Sequence, residues 1–177
     1  ITFLCDKARA AGALAVVDAC QFVPHNVTDV QSWNADLVAF SSHKMCGPSG
    51  IGMLWGRMEI LDAMPPFIGG GNMIDNVTFD GFTTAPVPAK FEAGTPPIVE
   101  AVGLAAAVEF LESVGMANIR QHEMELSRYT LDTLNERFGD DITIYGPANV
   151  EHRGGVFSFA FRDLHPHDVS QVLDERN

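Results

Sequence analysis

Short apolar runs alternate with helical segments through the first third of this chain, and the pattern changes character twice further on. Residues 2–11 read as a helix, Gly12 as the turn that ends it, and the apolar run 13–17 as a buried strand closing on Asp18. A loop containing Pro24 leads to a short helical patch over 27–34, and a second apolar run, 37–40, ends in the tetrapeptide SSHK. Strands alternating with helical crossovers predict a parallel sheet covered on both faces. A third run, 51–55, follows the loop CGPSG too closely for another crossover, so it is expected to pair antiparallel.

Residues 65–97 are rich in Gly, Pro and Thr, and an irregular stretch of that length inside a compact protein serves function or an interface. Pro97 then opens the helix IVEAVGLAAAVEFLESV, stopped by Gly115, and residues 117–138 give a second helix capped by Gly139, with Leu131, Leu134 and Phe138 as its apolar stripe. Short strands are expected at 142–145 and 155–161, followed by a helix that opens with HPHD and Pro166 in its first turn. The composition shift near Gly115 marks a boundary between one domain over 1–115 and a second over 116–177. The chain starts at Ile1 and closes on VSQVLDERN, which reads as an unfinished amphipathic helix, so the whole is expected to be a fragment.

A net charge of −12 argues against nucleic acid, whose phosphates need clustered Lys and Arg. No apolar run reaches the roughly 18 residues of a membrane span, and no charged start precedes a cleavage site, so a cytoplasmic protein is expected. Cys5, Cys20 and Cys46 make an odd set without CxxC spacing, which predicts reduced thiols and no zinc knuckle. The H-x-H-D cluster of His165, His167 and Asp168 stands at a helix start, where polar groups cap amides, and capping outweighs metal binding there.

Asp18 closes one strand and Lys44 lies just past the next, which places both at the carboxyl edge of a parallel sheet, where open α/β sheets bind ligands. An acid and a lysine there meet the needs of a pyridoxal 5'-phosphate (PLP) site: the lysine forms the Schiff base and the acid keeps the ring nitrogen protonated. Ser41 and His43 bracket the lysine with donors able to reach a phosphate, and Gln21 can donate to the ring's phenolate oxygen. With few charges around it, Lys44 is expected to be buried and less basic than a solvated lysine. Alone, a lysine after a strand is usually solvated and an Asp at a strand end is usually a turn residue; the pair is what points to a cofactor.

The ordered motifs VVDACQ, FSSHKMCGPSGIGML, MPPFIGGGNMI and KFEAGTPP resemble the PLP-dependent class V aminotransferase family, and within it the SUF-type cysteine desulfurases and selenocysteine lyases. The resemblance implies the type I PLP-transferase (aspartate aminotransferase-like) α/β fold: the second half of a large αβα domain with a mainly parallel sheet, then the start of a small α+β domain. It implies Lys44 as the Schiff-base residue, Asp18 as the ring-nitrogen partner, Gln21 at the phenolate oxygen, Ser41 and His43 at the phosphate, and Thr95 at the phosphate of the neighbouring subunit of a homodimer. The GGGNMI loop, Gly69 to Ile74, would line that shared interface.

The implied reaction converts L-cysteine to L-alanine and passes sulfur as a persulfide to an acceptor protein of the SUF system for iron–sulfur cluster assembly. The family's nucleophilic cysteine and its carboxylate-binding arginine would follow Asn177, so the fragment alone is expected to be inactive. Cys20 and Cys46 lie near the cofactor residues in sequence, yet small thiols of this kind are commonly packing residues. The alternatives are a sister PLP enzyme (a selenocysteine lyase, a kynureninase-like hydrolase or an epimerase) and a non-catalytic interaction module on the same fold.

Overall fold

A computed structural model describes residues 1–176 and divides into two compact units, Ile1–Met116 and Ala117–Asn177. In the first, helix α1 (Thr2–Ala10) turns its Cys5 and Ala8 toward the core and ends before Gly12, whose φ of +70° suits a residue without Cβ. Strand β1 (Val16–Asp18) pairs parallel with β2 (Leu37–Ser41), and β2 pairs antiparallel with β3 (Gly52–Gly56), as the short connection after Lys44 demands. Cys5, Ala15, Ala19, Trp33, Ala35 and Val38 form the buried cluster beneath this sheet, and Phe22 meets Trp33 edge-on at 5.1 Å.

The helical patch expected over 27–34 is a single 3-10 turn, Val30–Trp33. Asp29 caps it by accepting the Gln31 N–H, and Asn34 ends it in the left-handed region at φ 58°. Three elements escape the hydrophobic pattern altogether. Helix α2 (Met58–Ala63) is too short to show a period, and within the 65–97 stretch β4 (Ile74–Val77) and β5 (Phe82–Thr84) form an antiparallel hairpin closed by the Thr78 N–H to Gly81 carbonyl bond. Helix α3 (Ile98–Val114) follows Pro97 and stops at Gly115. At Gly103 an added Cβ would come within 2.9 Å of Pro48 Cγ, so the helix lies directly against the loop beyond Lys44.

In the second unit, α4 (Met116–Phe138) carries the buried Ser127 and Leu131, and β6 (Ile142–Ile144) pairs antiparallel with β7 (Phe159–Phe161). The expected strand over 155–161 is thus shortened to its last three residues. Preceding it, the buried Arg153 donates to the carbonyls of Tyr145 at 2.8 Å and Pro147 at 3.0 Å and stacks on Phe157. In α5 (Pro166–Asp174) the Nδ1 of His165 accepts the His167 N–H at 3.2 Å, which is the capping role expected of that cluster.

One buried acid knits the first unit together. The carboxylate of Asp36 accepts the Ala15 N–H at 2.7 Å and lies 3.4 Å from both Arg9 and Arg57, so α1, the entry to β1, the entry to β2 and the end of β3 converge on it. Arg57 also donates to the Ala35 carbonyl at 3.2 Å and to Asn34 Oδ1 at 2.7 Å. Truncation by Asp36→Ala strands the Ala15 amide and is expected to cost about 1–3 kcal/mol in denaturant unfolding of the full-length protein. Asp36→Asn, which can still accept that N–H, is expected to lose less; equal losses would show that the amide is not the group that matters.

Candidate functional site

Strand alternation and parallel register assemble the site. Asp18 stands opposite Ala39, and two residues further along β2 Ser41 points to the same face as Ala39, so the carboxylate and the hydroxyl share one side of the sheet at its carboxyl edge. Behind Asp18 the ladder continues with the Ala19 N–H to Ala39 carbonyl bond at 2.8 Å, which fixes the backbone where the strand gives way to a turn. Gln21 lies in that turn and is exposed.

After β2 the chain makes a 3-10 turn, Ser42–Lys44, that sends Ser42 inward and His43 and Lys44 outward. The burial expected of Lys44 is therefore not found: its side chain is exposed, because in so tight a turn the inward positions go to Ser42 and Met45. Beyond it Cys46 takes a left-handed φ of 64°, and at Gly47 a Cβ would stand 2.1 Å from Ser42 Oγ, so the tight return over Ser42 requires glycine. Ser42 Oγ is fully enclosed and has no hydrogen-bond partner among the described residues.

Asp18 is held as an anion. Its Oδ1 accepts the Cys20 N–H at 3.0 Å, and this bond, then the Cys20 side chain, lowers its pKa below the ordinary carboxylate value. Slight desolvation opposes the shift, and the positive charge of Lys44 adds a smaller pull in the same direction as Cys20. That Lys44 is felt at Asp18 brings the predicted amine and the predicted acid into one electrostatic neighbourhood. Cys20, which the sequence offers as a nucleophile or, more commonly for its kind, a packing thiol, has its Sγ 3.2 Å from Ser41 Oγ, joining the two strand ends. A turn residue two places after a strand-end acid was the available signal.

Thr95 is exposed in the loop before α3, and among the described residues no hydrogen bond ties it to Asp18 or Lys44. Its loop is instead clamped to the GGGN segment: Gly94 N–H donates to the Gly71 carbonyl at 2.8 Å and Asn72 Nδ2 to the Gly94 carbonyl at 3.0 Å. The two Gly-rich motifs are thus one structure. Among the described residues no cluster of His, Cys, Asp and Glu could hold a metal, and no helix is long and apolar enough to cross a membrane.

The donor set fits PLP: a carboxylate kept ionised for a protonated ring nitrogen, an amine within its field, and a hydroxyl on the same face for a phosphate. Comparison with known proteins agrees on the class. The chain belongs to the aminotransferase class-V family, whose model matches residues 1–177. This is a family of PLP-dependent enzymes, and the fold is type I, as the motifs implied.

Among its relatives are a probable cysteine desulfurase of Streptomyces coelicolor, 53% identical over 170 residues, and a cysteine desulfurase of Haloferax volcanii, 48% identical over 176 residues. These alignments cover 96% and 99% of the chain but 40% and 41% of the relatives, so the chain spans about two fifths of their length. Of solved structures, the apo cysteine desulfurase of Thermococcus onnurineus NA1 superposes with a TM-score of 0.88 at 40% identity, covering 98% of this chain and 43% of that one. The cysteine desulfurase CsdA of Escherichia coli gives 0.78 at 36% identity, covering 96% and 41%.

Because the folded-state pKa of Asp18 is depressed, its contribution to stability is present above the unfolded carboxylate pKa and is lost as pH falls through the folded value. Lys44→Ala removes the smaller of the forces lowering that pKa, so the Asp18 midpoint is expected to rise slightly yet stay below that of a free aspartate. NMR titration of 13C-labelled aspartate measures it, and an unchanged midpoint would mean that the two charges do not sense each other.

Proposed function

We propose that the full-length protein is a PLP-dependent cysteine desulfurase and that residues 1–177 carry the lysine and the acid that hold its cofactor. The reading rests above all on the Asp18 carboxylate, ionised at the carboxyl edge of β1 within the field of Lys44. The names of the relatives, which are those of cysteine desulfurases over almost the whole of this chain, supply the substrate.

Lys44 provides the amine that attaches the cofactor through its aldehyde and later removes the proton at Cα of L-cysteine. When bound, PLP supplies a pyridinium ring that takes up the electron pair left at Cα. Asp18 keeps the ring nitrogen protonated, Gln21 donates to the phenolate oxygen, and Ser41 and His43 donate to the phosphate. Thr95 reaches the phosphate of the neighbouring subunit in a homodimer, and the clamp between its loop and the GGGN segment supports a shared rigid edge at that interface.

A cysteine thiolate elsewhere in the full-length protein attacks the substrate sulfur and keeps it as a persulfide, while the electron pair of the broken Cβ–S bond stays on carbon, which is protonated to give alanine. Cys5 is buried in the core and Cys20 is engaged with Ser41, which argues against either as that nucleophile. The persulfide sulfur then passes to an acceptor protein of the SUF system in the cytoplasm, for iron–sulfur cluster assembly. Residues 1–115 form the second half of the PLP-binding domain and 116–177 the beginning of the small one, a division consistent with the two compact units.

The purified full-length protein is expected to show a visible absorption band that borohydride bleaches, and to release alanine and sulfide from L-cysteine. Lys44→Ala should abolish both. A band that survives in that variant removes Lys44 from its role, and a protein that binds PLP but leaves L-cysteine intact points to a sister chemistry.

A further inference from the structure

We propose that Cys20 is a positioning residue whose thiol ties the Ser41 hydroxyl to the turn that holds Asp18, so that the phosphate end and the ring-nitrogen end of the cofactor cradle are set as one unit. The inference rests on the function proposed above. Cys20 is the residue in which both ends meet: its N–H binds Asp18 Oδ1 at 3.0 Å, and its Sγ lies 3.2 Å from Ser41 Oγ. Between Asp18 and Cys20, Ala19 is fully buried and bonded to Ala39, which fixes the backbone from which both groups project. The two contacts use different groups of Cys20, the backbone N–H for Asp18 and the thiol for Ser41.

The direction of the Cys20–Ser41 bond follows from the chemistry of a phosphate. Either group can donate when no ligand is bound. Once Ser41 gives its single proton to a phosphate oxygen, its own oxygen can only accept, and the thiol becomes the donor. A hydroxyl that accepts one hydrogen bond is a better donor in the next, so the thiol strengthens the grip of Ser41 on the phosphate. Cys20 works here as a protonated thiol, which separates this role from that of a nucleophile. Among the described residues Cys5 and Cys46 make no such link: the first is buried in the core and the second is exposed beyond Lys44.

The test measures PLP dissociation by equilibrium dialysis in the full-length protein for Cys20→Ala, Cys20→Val and Cys20→Ser, each alone and combined with Ser41→Ala. The same series is run with pyridoxal, which lacks the phosphate. Loss of one neutral hydrogen bond predicts roughly two- to tenfold weaker PLP binding for the Ala and Val variants, with the Ser variant near wild type. The loss should vanish in the Ser41→Ala background and with pyridoxal, because the thiol acts through that hydroxyl on that group. Should the Val variant fail to fold, the contrast between Ala and Ser carries the comparison.

Wild-type affinity in all three variants overturns the tie, as does a loss that persists with pyridoxal or in the Ser41→Ala background. A wild-type protein that takes up PLP while its Cys20 variants match it refutes this inference alone. A wild-type protein that takes up none refutes the proposed function and this inference with it.

Discussion

The parallel pairing of β1 with β2, in the register that sets Asp18 opposite Ala39, is the constraint on which the site depends. A slip by one residue would turn Ser41 to the opposite face of the sheet and move Asp18 away from the turn that carries Lys44. Three backbone pairs are few to fix a register, and the sequence does not leave it to them. Asp36 receives the amide of Ala15 just before β1 while standing just before β2 itself, so the strands are aligned from their amino ends.

That arrangement explains why so costly a group as a buried carboxylate is present. Asp36 is enclosed, and two arginines from different elements face it, so its desolvation is offset by an amide and two guanidinium groups together. Removing Asp36 leaves the Ala15 amide without its acceptor and both arginines without that counter-charge. Asp36 and Asp18 thus sit at opposite ends of the same strand pair. One aligns the strands and is out of water; the other stands exposed where a ligand can reach it.

What was legible in the sequence follows the physics of each signal. The strands ending in Asp18 and near Ser41, the antiparallel β3, and the helices begun by Pro97 and ended by Gly115 and Gly139 were readable because apolar runs and Pro/Gly punctuation act locally. The hairpin Ile74–Thr84 was missed although it contains an Asp-Gly turn, since its strands are largely exposed and carry no clear alternation. Asp36 was invisible because its partners Arg9, Ala15 and Arg57 lie on three separate elements. Lys44 lies just past β2, where the apolar run ended, but its exposure depends on how a three-residue turn distributes inside and outside, which composition does not encode.

Gly103 has a mechanical corollary. With no side chain between α3 and Pro48, the segment that follows Lys44 is braced on the flank of a 17-residue helix as if on a stiff beam. A side chain at position 103 would have to displace Pro48, and with it the segment that also carries Lys44.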